Sequence, residues 1–136
     1  MNWPQNLLYD ALIRTKHVEH AALIKLKEKY VLASTRGINV QPHQAEAFID
    51  AFENTSVIRK EGIYFQGKNY TCVRADNFSI YAKYMNQGLI LVKTMEYLLL
   101  ATYSEGMYPS VCVEAVEKLD FECEVWVNKG EFRGKC

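Results

Sequence analysis

The amino-acid sequence predicts an α+β fold in which N- and C-terminal helices flank a central antiparallel sheet of about seven strands. Two observations support this prediction. Apolar residues recur at helical spacing towards both ends of the chain, and short segments of β-type composition, separated by turn residues, fill the region between them. No linker or internal repeat divides the 136 residues, so 1–136 is predicted to be a single domain.

The first third of the chain alternates between helical and strand patterns. A first helix is predicted from apolar residues that recur at helical spacing: Trp3, Leu7, Leu8, Ala11 and Leu12. Pro4 falls in its first turn, where the missing N–H is not needed for a hydrogen bond. The segments 21–26 and 30–34 flank a polar turn, which predicts a hairpin. A second helix is predicted to begin at Pro42 and to end at the polar residues 54–56.

The middle of the chain predicts five further strands. They are rich in β-branched and aromatic residues and span 63–66, 70–74, 78–83, 89–93 and 96–103. Short strands at this spacing are typical of an antiparallel meander. Pro109 begins a last helix, with apolar residues three or four apart at Cys112, Val116, Leu119 and Cys123. Cysteines at such positions pack as small hydrophobic side chains.

Charge is balanced over the whole chain and unbalanced within it. The 16 basic and 16 acidic residues cancel, which gives no indication of a nucleic-acid partner. Residues 58–93, however, contain six basic side chains against Glu61 and Asp76. We call these six the middle basic residues: Arg59, Lys60, Lys68, Arg74, Lys83 and Lys93. They predict an anion-attracting surface if the strands bring them together, and solvating charges on the open side of the sheet if not.

Nothing in the sequence predicts catalysis. It contains no phosphate-binding glycine loop, dinucleotide fingerprint or nucleophile elbow. His17 and His20 are three residues apart, a spacing that can share one helix face, but no third metal ligand is evident beside them. We therefore expect no catalytic residue, metal site or cofactor. Without a C-x-x-C pair, an export signal or a long apolar run, we expect a cytoplasmic protein with reduced cysteines.

Several short strings, in a fixed order along the chain, resemble one known family. Beginning with Trp3, they occupy 61–70, 81–83, 92–94, 101–109 and 112–114. The set covers the chain to about Leu119 and resembles the profilins, whereas residues 120–136 depart from the family pattern. The strings at 15–18, 21–25 and 72–76 resemble the divergent profilin-4 branch. The resemblance implies three classes of ligand, namely actin monomers, proline-rich segments and phosphoinositide membranes.

The family's proline-rich ligands dock on several aromatic rings that both terminal helices and an early strand contribute. Trp3 matches the first ring, and Asn6 or Leu8 falls where the next ring is expected. Leu32 replaces the strand tryptophan. The remaining aromatic candidates lie in the unmatched tail, at Phe121, Trp126 and Phe132. Trp3 is therefore the single polyproline-binding candidate, with helix packing as its alternative role, and we expect weak or absent binding of proline-rich segments.

The family's actin surface consists of central strands and the start of the last helix. Arg74, Lys83 and Lys93 match its basic positions and are the actin-contact candidates. The lysine-rich hairpin typical of the family is replaced by residues 84–88, which contain no lysine. Met107-Tyr108-Pro109 stands where small residues are common, and bulky side chains obstruct a flat interface. We expect weak or absent binding of actin monomers.

Binding to anionic lipid requires less shape than either protein ligand, because each exposed Lys or Arg near the bilayer contributes about 1 kcal/mol. We therefore expect a non-enzymatic, profilin-like cytoskeletal protein that binds anionic phospholipids or phosphoinositides through the middle basic residues. The alternative is a conventional profilin that binds actin monomers and regulates polymerisation. A scaffold resembling the roadblock and longin modules shares the order of elements, but the strings at 81–83 and 92–94 favour a profilin.

Overall fold

The computed structural model describes the backbone of residues 3–128 and the side chains of residues 4–120. Seven strands form one sheet in the order β2-β1-β7-β6-β5-β4-β3, and every neighbouring pair is antiparallel. The strands are β1 (His20–Lys25), β2 (Tyr30–Ser34), β3 (Ile63–Phe65), β4 (Lys68–Ala75), β5 (Ser79–Tyr84), β6 (Gln87–Lys93) and β7 (Tyr97–Tyr103). The predicted fold class is confirmed.

Helices cover both faces of this sheet. They are α1 (Trp3–Ala11), α2 (Pro42–Ala51), α3 (Thr55–Glu61) and α4 (Pro109–Asn128), with a short 3₁₀ turn at Ile13–Thr15. Leu8, Leu12 and Val116 pack with one set of strand residues, which defines the α1–α4 face. Phe48 and Ile58 pack with the other set, which defines the α2–α3 face. The sheet is therefore the middle of three layers.

The two layers of helices explain the burial of the central strands. All seven residues of β7 are buried, and consecutive side chains alternate between the two cores. Leu98 and Leu100 belong to the core under α2 and α3, whereas Leu99 belongs to the core under α1 and α4. A strand with both faces covered shows a continuous apolar sequence instead of alternation, as 97–101 does.

The helix α3 was not predicted from the sequence. The polar residues 54–56 were expected to end α2, but the Asn54 carbonyl accepts the amides of Val57 and Ile58 and begins a new helical turn. Asparagine is favoured both at the start of a helix and in turns, so its presence does not distinguish the two. The helix forms because Ile58 packs on the core, and it ends at Gly62, whose φ of 82° favours glycine.

The last helix carries the predicted apolar stripe. Cys112, Val116 and Leu119 are buried, whereas the side chain of Cys123 lies outside the described residues. Burial raises the pKa of the Cys112 thiol to about 12. This cysteine therefore stays protonated at neutral pH and acts as a small hydrophobic side chain.

We predict that Gly88→Ala is among the more destabilising single-methyl additions in the sheet. Gly88 pairs directly with Tyr103, and a Cβ at position 88 would lie 2.0 Å from two carbons of the buried Tyr103 ring. Such overpacking costs about 2–3 kcal/mol of unfolding free energy. Gly67→Ala is the control, because its Cβ meets nothing within 4 Å and only its φ of 80° is unfavourable, which costs about 1 kcal/mol. Urea unfolding measures the free energy of unfolding of both variants. Equal losses of this free energy would contradict the prediction.

Candidate ligand-binding surfaces

Arg74 and Lys83 lie on the α1–α4 face of the sheet. Arg74 is opposite Tyr81 across the β4–β5 pair, and Lys83 is opposite Thr71. Side chains of directly opposed residues share a face, and so do residues two apart on one strand. Tyr81 packs against the core under α1 and α4, which fixes the face for both basic residues.

Lys68 and Lys93 lie on the opposite, α2–α3 face. Lys93 is opposite Leu98, and its ammonium nitrogen lies 5.2 Å from the ring centroid of Phe52. Lys68 is opposite Phe65, and its Nζ donates to Gln87 Oε1 at 2.7 Å. The two faces therefore divide the middle basic residues, and Lys93 is separated by the sheet from Arg74 and Lys83.

A second division runs along the strands. The turns 26–29, 76–78 and 94–96 project from one end of the sheet, which we call the turn end. The turns 66–67 and 85–86 project from the other, which we call the far end. Lys93, Arg74 and the guanidinium of Arg59, which donates to the Ala75 carbonyl, lie towards the turn end. Lys68 and Lys83 lie towards the far end, and Lys60 is exposed on α3.

Asp76 organises the turn between β4 and β5. Its Oδ1 accepts the amides of Phe78 and Ser79 at 2.9 and 2.8 Å, and its Oδ2 accepts Nε and Nη2 of Arg74 at 3.2 and 3.0 Å. The Phe78 amide lowers the pKa of the Asp76 carboxyl, and the bond to Asp76 raises the pKa of Arg74. The sequence indicates a turn and a negative charge at Asp76, but not these bonds. An aspartate two residues before an apolar residue in a turn is the available signal for this role.

An acidic group from α4 approaches the same face. The hydroxyl of Tyr81 donates to Glu117 Oε2, and the Tyr81 ring lies 5.5 Å from the guanidinium carbon of Arg74. Burial, followed by the bond to Glu117, raises the pKa of Tyr81 to about 12. Glu117 therefore lowers the positive potential that Arg74 and Lys83 produce on the α1–α4 face.

The candidate polyproline surface lies between α1 and α4. The side chain of Trp3 lies outside the described residues, as do those of Phe121, Trp126 and Phe132. Leu8 is buried, Asn6 is exposed and Leu32 is half-buried against the α1–α4 core. A groove of about 350 Å³ separates the two helices, and none of the described residues that line it is aromatic: Asp10, Ala11, Thr15, Val111, Glu114, Ala115, Lys118 and Leu119.

The loop before α4 is held by a histidine. The Tyr108 amide donates to His17 Nδ1 at 2.9 Å, and the two rings stack with their centroids 5.0 Å apart. Met107 is half-buried, whereas Tyr108 is 64% exposed and precedes Pro109 at the start of the helix. His17 and His20 do not share a helix, since His17 precedes β1 and His20 begins it. The described residues contain no group of three metal-ligating side chains.

Comparison with known proteins identifies the family. A family model described as Profilin matches residues 1–121. The chain belongs to the profilin family. Profilin-4 of Bos taurus is 55% identical over 120 residues, which are 88% of this chain and 93% of the bovine protein. Profilin-4 of Mus musculus is 52% identical over the same shares.

Solved profilin structures share the fold. Profilin IA of Acanthamoeba castellanii aligns with a TM-score of 0.82 at 33% identity, over 88% of this chain and 95% of the amoebal one. Schizosaccharomyces pombe profilin aligns with a TM-score of 0.84 at 26% identity, over 93% and 98% of the two chains. The profilin resemblance seen in the sequence is thus confirmed, and the family is non-enzymatic. Within residues 3–128 this profilin has no helix that is long and apolar enough to cross a bilayer.

We predict that Tyr81 ionises near pH 12 and that Glu117→Gln lowers its pKa, though not to 10, since burial is the larger cause. A tyrosine pKa that is higher in the folded than in the unfolded state contributes stability below pH 10, and this contribution is lost as pH rises towards 12. Ring-labelled NMR titration, with Tyr81→Phe to assign the signal, measures the pKa. The same pKa in the parent and in Glu117→Gln would show that the bond does not form in solution.

Proposed function

We propose that this profilin is a non-enzymatic, cytoplasmic and cytoskeleton-associated protein that binds anionic phospholipids, phosphoinositides among them. The candidate lipid ligands are the middle basic residues, and we expect those at the turn end to contribute most to binding. One observation carries the proposal: Arg59, Arg74 and Lys93 all lie towards the turn end, although they come from three different elements and Lys93 is on the opposite face from Arg74. Family membership supports it as well, because the resemblance implies phosphoinositide membranes as a ligand class.

Binding of both protein ligands is proposed to be weak or absent. For proline-rich segments, the supporting observations are Leu32 in place of an aromatic ring and a groove between α1 and α4 without an aromatic residue among its described lining. For actin monomers, they are the exposed Tyr108 before α4 and a β5–β6 turn without lysine. The balanced net charge supports no nucleic-acid partner.

We predict that Arg74→Gln/Lys93→Gln weakens binding to phosphatidylserine or phosphoinositide vesicles by about thirtyfold, because two charges at about 1 kcal/mol each are removed from the turn end. Lys68→Gln/Lys83→Gln is the matched control. The control also removes two positive charges, one from each face of the sheet, but both lie towards the far end. Vesicle co-sedimentation at low and high salt measures both variants, with circular dichroism as the check on folding.

Three outcomes decide the lipid proposal. Binding at the turn end is supported if Arg74→Gln/Lys93→Gln loses vesicle affinity while the control loses less than fivefold. A fivefold loss of affinity corresponds to about 1 kcal/mol. A larger loss in the control would move the site to the far end. Equal sedimentation of the parent with neutral phosphatidylcholine vesicles would contradict an electrostatic lipid site altogether.

We predict that actin monomers bind more weakly than a low-micromolar dissociation constant, which corresponds to about −8 kcal/mol. Tyr108→Ala should tighten binding if the exposed ring obstructs the interface, whereas Tyr108→Phe should leave it unchanged. Fluorescence titration of labelled monomeric actin measures the dissociation constant of the parent and of both variants. Low-micromolar affinity of the parent would favour the alternative, a conventional actin-monomer-binding profilin that regulates polymerisation.

A further inference from the structure

The three turns at the turn end are tied to one another. The Leu26 amide donates to the Glu96 carbonyl at 3.0 Å, which joins the β1–β2 turn to the β6–β7 turn. The Lys93 amide donates to the Phe78 carbonyl at 2.8 Å, which joins the base of the β6–β7 turn to the β4–β5 turn. The turns therefore form a continuous rim across the strands β2-β1-β7-β6-β5-β4.

Two large apolar side chains protrude from this rim. Phe78 in the β4–β5 turn is 62% exposed, and Met95 in the β6–β7 turn is 73% exposed. Each turn is closed by its own side-chain bonds, since Asp76 accepts two amides of the first and Thr94 Oγ1 accepts the amides of Glu96 and Tyr97 in the second. The backbone thus holds both side chains in water, where apolar area is unfavourable.

The charges around these two side chains are positive on balance. Lys25 pairs with Glu28 at 3.8 Å and Lys29 pairs with Glu46 at 3.4 Å, so these four cancel. What remains is basic at four positions and acidic at three, once Glu117 beside Arg74 is counted: Arg59, Arg74, Lys93 and Lys27 against Asp76, Glu96 and Glu117. An apolar tip surrounded by net positive charge fits an anionic lipid surface, because the acyl boundary accepts the tip while the headgroups accept the cations.

We propose that Phe78 and Met95 are membrane-insertion residues, which enter the headgroup–acyl boundary of an anionic bilayer while Arg59, Arg74 and Lys93 contact the lipid headgroups. This inference rests on the proposed lipid binding and deepens it, since it gives the protein one orientation on the membrane, with the strands pointing at the bilayer. It adds an apolar contribution that salt does not screen, whereas the contribution of the charges falls as the Debye length shortens.

The first test compares Phe78→Ser/Met95→Ser with Met85→Ser in vesicle co-sedimentation. Met85 is the matched control, because it is 77% exposed in the β5–β6 turn at the far end. We expect about tenfold weaker binding to phosphatidylserine-containing vesicles for the double variant and no change for the control. At high salt, the residual binding of the parent should be lost in the double variant. Circular dichroism and urea unfolding verify that both variants are folded.

The second test detects contact of residue 78 with the acyl chains by fluorescence quenching. Phe78→Trp and Met85→Trp are each mixed with vesicles of brominated lipid, and the quenching beyond that of the parent is measured. We expect additional quenching for Phe78→Trp and none for Met85→Trp. This readout depends on contact with acyl chains, so attraction to headgroups alone does not produce it.

The outcomes separate the two proposals. If Phe78→Ser/Met95→Ser binds as the parent does while Arg74→Gln/Lys93→Gln is weakened, insertion is overturned and the lipid-binding proposal stands. Weakened binding of the double variant without quenching of Phe78→Trp also overturns insertion. If the parent binds no anionic vesicle, both proposals fail, and the exposed tips then belong to a surface for another class of partner.

Discussion

The pairing of β1 with β7 is the contact on which the remaining structure depends. His20 lies opposite Thr102 and Lys25 opposite Tyr97. The N-terminal hairpin, which ends at Ser34, therefore joins the last strand of a meander that begins only at Ile63. This pairing makes one continuous sheet with β7 near its middle, buried on both faces. Both layers of helices pack on that surface, since the buried apolar residues described in α1 and α4 belong to one core of the sheet and those in α2 and α3 pack on the other.

Strand geometry decides what a basic stretch of sequence becomes on the surface. Along the chain, the middle basic residues read as one charged segment. In the fold, Arg74 and Lys83 share one face and Lys68 and Lys93 the other, while Arg74 and Lys93 share one end. Charge counted along a meander therefore describes no single surface, and the end of the sheet gathers side chains that neither face gathers.

The turn between β4 and β5 connects these charges to the backbone. Asp76 fixes the turn through two amides and holds the guanidinium of Arg74 beside it. The same bonds keep Phe78 exposed at the tip. On the α1–α4 face, Glu117 from the last helix meets Tyr81 and reduces the positive potential there. The turn end, rather than that face, thus combines positive charge with exposed apolar area.

The fold class, all seven strands within two residues of their ends, and the buried stripe of α4 at Cys112, Val116 and Leu119 could be predicted from the sequence, because periodicity and turn chemistry act over a few residues. The family followed from the resemblance of short strings that occur in a fixed order along the chain. The sequence did not reveal α3, whose formation depends on Ile58 reaching a core built by distant strands. It named the basic candidates but not their grouping. Which of them share a face or an end depends on the register between strands, and that register is set by packing between residues far apart in the chain.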